Sequence, residues 1–381
     1  MTIVRITEDR YAEAIGLSEY AFQFKVPEED QSKRFETLNK HQIFGVIDND
    51  QLKAKLHLLI LETFLGSRKI KMGGIAGVAT FPEYRRKGYV RDLLTDSFVK
   101  MKEQGMTVSM LHPFDVSFYR KYGYELFNNR LTSKLKQSDL VMFKDVVGNV
   151  KRYTLKTLQL EELKEVYEQY AATFSGMLVR DDKWWEDVIE DQHVSVYYNS
   201  SNQPAGYLLY EVKDDKMKVE EFVAVTSEAR KGLWNFICQH DSMITDLELI
   251  THEREPLLFA LQKQKTVKRE VSPYFMVRIV DAGVFLKEYE FATKDEIKLQ
   301  IIDTYAPWNE QTFSVSNQSV SAVEDSNDSI KLSINALSTI LFGHQRPTEL
   351  YQAGLISGDE EKVNLFEKMV PTRQAHFYDF F

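Results

Sequence analysis

In the segment Val78-Ala79-Thr80-Phe81-Pro82-Glu83-Tyr84-Arg85-Arg86-Lys87-Gly88-Tyr89-Val90-Arg91, an apolar run meets a proline bend and then a basic turn. Gly88 closes the turn, and Asp92-Leu93-Leu94-Thr95-Asp96-Ser97-Phe98 continues at helical spacing. The pattern predicts a strand, a turn and a helix N-terminus. Such a junction leaves backbone N–H groups unpaired at the positive end of the helix dipole, where a phosphate or pyrophosphate can be held. Arg85, Arg86 and Lys87 add formal charge there, and Gly88 lets the backbone approach closely. A solvated basic turn would explain the same residues.

A second segment, Leu111-His112-Pro113-Phe114-Asp115-Val116-Ser117-Phe118-Tyr119-Arg120-Lys121-Tyr122-Gly123-Tyr124-Glu125, follows another apolar strand, Thr107 to Leu111. The first segment resembles the acetyl-CoA loop of the GNAT superfamily of N-acetyltransferases, with Arg85-x-x-Gly88-x-Val90 in place of Arg/Gln-x-x-Gly-x-Gly/Ala; Val90 departs from that pattern. The second resembles the family's Phe-Tyr-x-Lys-x-Gly-Tyr/Phe segment, whose tyrosine faces the thioester and matches Tyr119. Two motifs in the right order are far more specific than either alone.

By that resemblance the backbone of Val78, Ala79 and Thr80 pairs with the pantetheine arm of acetyl-CoA, and Arg86, Lys87, Gly88, Tyr89, Val90 and Arg91 form the pyrophosphate cradle. Phe114 and Asp115 lie against the cofactor. Tyr119 would protonate the departing thiolate, since a phenol of pKa ~10 is protonated at neutral pH yet more acidic than water. Taken alone, Tyr119 is one aromatic among Phe118, Tyr122 and Tyr124 and would pass for core.

The chain has 381 residues, so two or three domains are expected. With 43% apolar and 28% charged residues it reads as a globular protein. No apolar run approaches the roughly 18 residues of a membrane span, and the first residues lack the apolar core of a signal peptide. A cytoplasmic location is expected. A single cysteine, Cys238, excludes an intrachain disulfide and a cysteine-based zinc site, and its helical surroundings suggest packing. The eight histidines show no His-Glu-x-x-His spacing, so no metal is implied. A net charge of −9 argues against nucleic acid and suits a cationic substrate.

Residues 1 to 150 read as an opening strand, a helix from Ala12 to Phe24, an acidic loop Glu28-Glu29-Asp30, and strands at Ile43 to Ile47, Lys53 to Phe64, Lys69 to Thr80, Met106 to Leu111 and Arg130 to Leu135. Residues 151 to 282 repeat the theme, with helices at Leu160 to Phe174 and Asp182 to Glu190. Strands follow at Val194 to Tyr198, Pro204 to Val212 and Met217 to Val225. Glu228-Ala229-Arg230-Lys231-Gly232-Leu233-Trp234 echoes Glu83 to Tyr89 with one basic residue deleted, which predicts a turn one residue shorter that does not bind acetyl-CoA. Residues 283 to 381 show strands at Leu299 to Tyr305, Thr312 to Val315 and Ser329 to Ile334, a polar hairpin loop from Val315 to Asp328, and three helices between Ala336 and Met369. The fold class expected is α/β (α+β), with mixed sheets flanked by helices.

This layout resembles the Eis (enhanced intracellular survival) family of acetyltransferases over the whole chain. The resemblance implies a GNAT domain, a degenerate second GNAT-like domain and a third similar to sterol carrier protein type-two domains, the last marked by Leu332 to Gly343. It further implies hexamers of two trimers, aminoglycoside or lysine-type amines as acceptors, and a C-terminal carboxylate acting as base in the active site, a position that Phe381 matches. The closing run His376-Phe377-Tyr378-Asp379-Phe380-Phe381 is apolar, and both terminal phenylalanines are expected to be buried. A terminal strand residue that merely packs would look the same. Glu28, Glu29, Asp30 and Asp379 are weak candidates to attract a polyamine-like acceptor. Rival readings are a protein or peptide lysine acetyltransferase and a non-enzymatic carrier of apolar ligands.

Overall fold

The structure, a computed structural model, describes residues 2–316, 319–325 and 328–381. Among these residues three sheets form, flanked by helices. The first runs in the order Thr2–Ile6, Gln42–Asp48, Gln51–Leu65, Arg68–Thr80, Val108–Leu111, Met276–Ile279 and Glu125–Leu126, with Phe174–Leu178 paired to Gln51–Leu65 and Gln374–Ala375 paired in turn to Phe174–Leu178. Its central hairpin is set by local chemistry. Asn49 and Asp50, both at positive φ, turn the chain tightly between Asp48 and Gln51, and Gly66 does the same before Arg68.

The second sheet contains Lys268–Pro273, Asn129–Lys136, Asp246–Thr251, Lys216–Ala224, Pro204–Lys213, His193–Tyr198 and Asn149–Tyr153. Asp214 and Asp215 make its central hairpin turn with the same positive φ pair. The third sheet joins Val320–Val323, Thr312–Ser316, Glu296–Ile302, Ile330–Ser333 and Ile356–Ser357.

Several sequence expectations need correction. The strand at Arg130 to Leu135 belongs to the second sheet, paired with Asp246–Thr251, while Met276–Ile279 returns to complete the first. The segment Gln31–Asn39 is a helix that its charged composition concealed, with only Leu38 fully buried. Phe174 opens a strand, not the end of a helix. Within Val315 to Asp328, expected as loop, Val320–Val323 pairs with Thr312–Ser316; residues 317, 318, 326 and 327 of that stretch lie outside the described residues.

The echo at Glu228 to Trp234 is not a shortened turn at all. It lies inside the helix Ser227–Cys238, and Gly232 is there because a Cβ would strike the ring of Tyr197.

Candidate functional site

The strand Arg68–Thr80 is hydrogen-bonded along one side to Gln51–Leu65 and on the other to Val108–Leu111 only from Met72 to Gly74. Beyond Gly74 the two parallel strands part, so the backbone of Ile75 to Thr80 has an open edge. The hairpin bulges where His57 and Lys55 oppose Ala76 and Ala79, and Gly77 takes φ +54° there. Lys55 Nζ donates to the Gly77 carbonyl at 3.1 Å, fixing the bulge from behind.

The open edge leads into the basic turn. Arg86 and Gly88 both have positive φ, and Gly88 caps the helix Tyr89–Glu103 with no side-chain partner. Among the described residues the amides from Arg86 to Arg91 make no hydrogen bond, whereas Asp92 N already reaches Gly88 O at 3.0 Å. These free donors surround a cavity of about 620 Å³. It is lined by Val78, Ala79, Thr80, Arg86, Gly88, Tyr89, Val90, Arg91 and Phe114, all anticipated from the sequence. An extended, apolar arm ending in a pyrophosphate fits this cavity, because strand-like pairing groups lie at one end and unpaired N–H groups at the other.

Four anticipated residues do not line the cavity: Tyr119 and Phe381, described below, and Lys87 and Asp115. Lys87 Nζ sits 5.0 Å from the ring centre of Tyr84, and Asp115 accepts from Phe118 N at 2.8 Å and caps the short helix Val116–Arg120. Ala21, Phe22, Tyr84, Arg85, Phe118 and Tyr122 line the cavity without having been named as site residues. Phe114, Phe118 and Tyr122 recur at four-residue spacing, a helical signal that could have revealed them.

Tyr119 is buried, 3% exposed, with its ring 5.6 Å from Phe114 and 5.1 Å from Phe118. Burial pushes its phenol well above the usual range, so it stays protonated. The third region holds this segment in place: Asn335 Nδ2 donates to the Tyr124 carbonyl at 2.8 Å and to that of Arg120 at 3.0 Å. Arg278, fully buried, pairs with Asp303 at 2.7 Å and donates to the Tyr122 carbonyl.

The end of the chain comes to the same fork. A Cβ on Gly74 would lie 2.9 Å from the Phe381 ring, so that ring covers the last residue before the strands part. Phe381 is half-buried, and Phe380 is 66% exposed against His112, so the expected burial of both is corrected: the inward residues are Phe377, Tyr378 and Asp379. The tail is anchored by Arg180, whose Nε donates to Asp379 at 2.8 Å while its other nitrogens bind Glu221. Trp184 Nε1 shares that Asp379 oxygen at 2.8 Å, and Tyr274 donates to the Asp379 carbonyl at 2.9 Å.

Glu28, Glu29 and Asp30 form an exposed single turn. Cys238 is buried and its thiol is pushed up to about 12, which suits packing and not nucleophilic attack. Among the described residues no cluster of metal-ligating side chains occurs, and no helix is long and apolar enough to cross a membrane.

Comparison with known proteins extends this picture. Residues 2–127 match one family described as "Acetyltransferase (GNAT) domain", residues 176–279 match a second with the same description, and residues 283–378 match "Sterol carrier protein domain". N-acetyltransferase Eis of Mycobacterium tuberculosis strain H37Ra is 24% identical over 264 residues, 64% of this chain and 65% of that protein. The aligned region thus spans just under two thirds of the length of that relative. Two solved structures superpose over the whole chain. A conserved protein of unknown function from Enterococcus faecalis V583 has a TM-score of 0.92 at 25% identity, covering 100% of this chain and 99% of that one. Eis1 of Mycobacterium abscessus has a TM-score of 0.87 at 19% identity, covering 100% of both.

Proposed function

We propose, from the premise that this chain belongs to the Eis-like GNAT family, that it transfers the acetyl group of acetyl-CoA directly to a primary amine. The observation that carries this reading is the single cavity in which the open edge of Val78 to Thr80 runs into the free amides of Arg86 to Arg91. Acetyl-CoA, when bound, supplies an activated thioester. The edge would bind its extended arm, and the helix start its pyrophosphate, each charge-assisted hydrogen bond contributing about 1.5–3 kcal/mol.

Tyr119 is the acid in this proposal. Its burial keeps the proton on the phenol until negative charge develops beside it, and the ring contacts with Phe114 and Phe118 fix its direction. The carboxylate of Phe381 takes the part of base. A free α-carboxylate, pKa ~3.5, accepts a proton from an ammonium of pKa ~10.4 only about 9 kcal/mol uphill, so its role is to orient the amine and relay the proton through water. The Phe381 ring over Gly74 supports that placement.

The family resemblance favours an aminoglycoside-like or lysine-type acceptor and a hexamer, and the net charge of −9 favours cations at long range. The residues expected to attract a polyamine lend no local support. Glu28 to Asp30 face solvent, and Asp379 is held by Arg180. Thiol release from acetyl-CoA with a panel of amines, with mass spectrometry of the products, tests the reaction. An apolar-ligand carrier would release none, and absence of amine-dependent release would refute acetyl transfer.

A further inference from the structure

Tyr119 sits on the helix Val116–Arg120, which at five residues is little more than one turn and supplies few hydrogen bonds of its own. Asp115 caps its start. The carbonyls at its end have no partner within the helix and must be satisfied from outside. The Tyr119 carbonyl receives Tyr122 N at 2.9 Å and Tyr124 N at 3.4 Å, so the backbone of Tyr119 goes where Tyr122 and Tyr124 are held.

Every second carbonyl from Arg120 to Leu126 has a side-chain donor. Asn335 Nδ2 reaches those of Arg120 and Tyr124, Arg278 reaches that of Tyr122, and Thr339 Oγ1 reaches that of Leu126 at 2.7 Å. Arg278 is itself aimed by the Asp303 carboxylate, and Tyr305 packs on Tyr122 with ring centres 5.0 Å apart. The approach is close enough to dictate sequence. Gly123 takes φ +84°, and a Cβ there would collide with Arg278 Nη1 and lie 2.8 Å from Ile334. Asn335 and Thr339 are one turn apart on the helix Ile334–Leu341, yet they hold different things. Asn335 ties the end of the Tyr119 helix to Tyr124, whereas Thr339 holds the strand Glu125–Leu126 beyond it.

We propose that Asn335 is a positioning residue for acetyl transfer: by clamping the carbonyls of Arg120 and Tyr124 together, it sets the aim of the Tyr119 phenol. The region that matches a sterol carrier protein domain thereby takes part in the reaction of the first. This rests on the acetyl-transfer reading with Tyr119 as acid, and it gives the third region a task separate from delivering Phe381.

The test uses the full chain and the panel amine that releases thiol fastest. Asn335 is half-buried, so its loss leaves the core intact. Three variants are compared: Asn335→Ala, Asn335→Asp, which keeps the shape but cannot donate, and Thr339→Val. Expressing kcat per equivalent of acetyl-CoA bound in titration calorimetry removes any unfolded fraction from the comparison. In both Asn335 variants kcat should fall about tenfold or more, as small displacements of a catalytic group do, with the Kd for acetyl-CoA within about twofold of the wild type. Thr339→Val should match the wild type in both. In a Tyr119→Phe background Asn335→Ala should cost nothing further, because a residue that acts through the phenol then has nothing left to aim. Hydrogen exchange of residues 116–124 reads the clamp without catalysis and should quicken in Asn335→Ala more than in Thr339→Val. Wild-type kcat in the Asn335 variants, an equal loss in Thr339→Val, a full further loss in the double variant, or unchanged exchange overturns the proposal. If Tyr119→Phe is slow and Asn335→Ala is not, only this role falls; absence of thiol release by the wild type with every amine strikes the acetyl-transfer reading and takes this role with it.

Discussion

The two central hairpins of this chain lead into helices in different ways. In the first sheet, Arg68–Thr80 is followed by Phe81 to Gly88, a turn with two positive φ residues, and the helix Tyr89–Glu103 starts with no side chain on its free amides. In the second, Lys216–Ala224 is followed at once by Thr226, whose hydroxyl accepts from Ala229 N at 3.0 Å. One helix start keeps its donors available for a ligand, and the other satisfies a donor internally. The segments after the next strands differ too. Val116–Arg120 carries Tyr119, while Pro256–Ala260 carries no tyrosine, and its cap Glu255 is committed to Arg230 and His252. A shared scaffold thus leaves helix-start amides free beside a cavity where the connection is long and uncapped.

Breaking this contrast should have graded effects. Tyr119→Phe should lower kcat by about 100-fold with acetyl-CoA affinity retained, since general acid catalysis contributes on that scale; unchanged kcat would remove Tyr119 from the chemistry. Gly88→Val and Gly232→Val form a matched pair. The first forces a β-branched residue to φ +84° and should weaken acetyl-CoA binding about tenfold or more. The second overpacks Tyr197, lowers stability by about 1–3 kcal/mol and leaves the affinity of the folded protein alone. Titration calorimetry and thermal melts separate the two, and equal affinity losses would erase the contrast.

A smaller effect is expected at the capped helix. Thr226→Ala should cost about 1 kcal/mol in denaturant unfolding, and acetyl-CoA should still bind once per chain. A second equivalent of acetyl-CoA would show that the second half is not degenerate.

The smallest effect concerns Lys55. Its folded pKa of about 7 lies below the free lysine value, so between pH 7 and ~10 the unfolded chain binds more protons at this site. That contribution makes stability rise with pH across the window, and it is absent in Lys55→Met. Equal pH slopes for wild type and variant would show that Lys55 is not perturbed.

What could be read beforehand followed from local chemistry. Gly88, the basic turn and the Tyr119 segment announce themselves because positive φ, charge and aromatic spacing leave marks within a few residues. Lys53, Lys55 and His57 alternate with Leu52, Ala54, Leu56 and Leu58, which reads as a strand with one solvated face. That face is in fact covered, so Lys55 and His57 became buried bases through helices whose docking no short window records. The orientation of the tail was equally hidden. Phe380 and Phe381 carry the same side chain, and which ring covers the fork follows from the anchoring of Asp379 by Arg180, Trp184 and Tyr274. The exchange of Asn129–Lys136 for Met276–Ile279 between sheets was out of reach for the same reason, since each has ordinary strand character.

That exchange governs how the molecule can be made. Met276–Ile279 fills the gap between Val108–Leu111 and Glu125–Leu126, so the first sheet is completed only after every strand of the second has been synthesised. Until then Val108–Leu111, all four residues of which are buried in the finished fold, presents an open edge, the kind of surface that pairs with other chains. Pairings between strands so distant in the chain also form slowly. Cutting the chain after residue 127 would leave that seam permanently exposed, so the two halves are obliged to fold together even though each carries its own sheet.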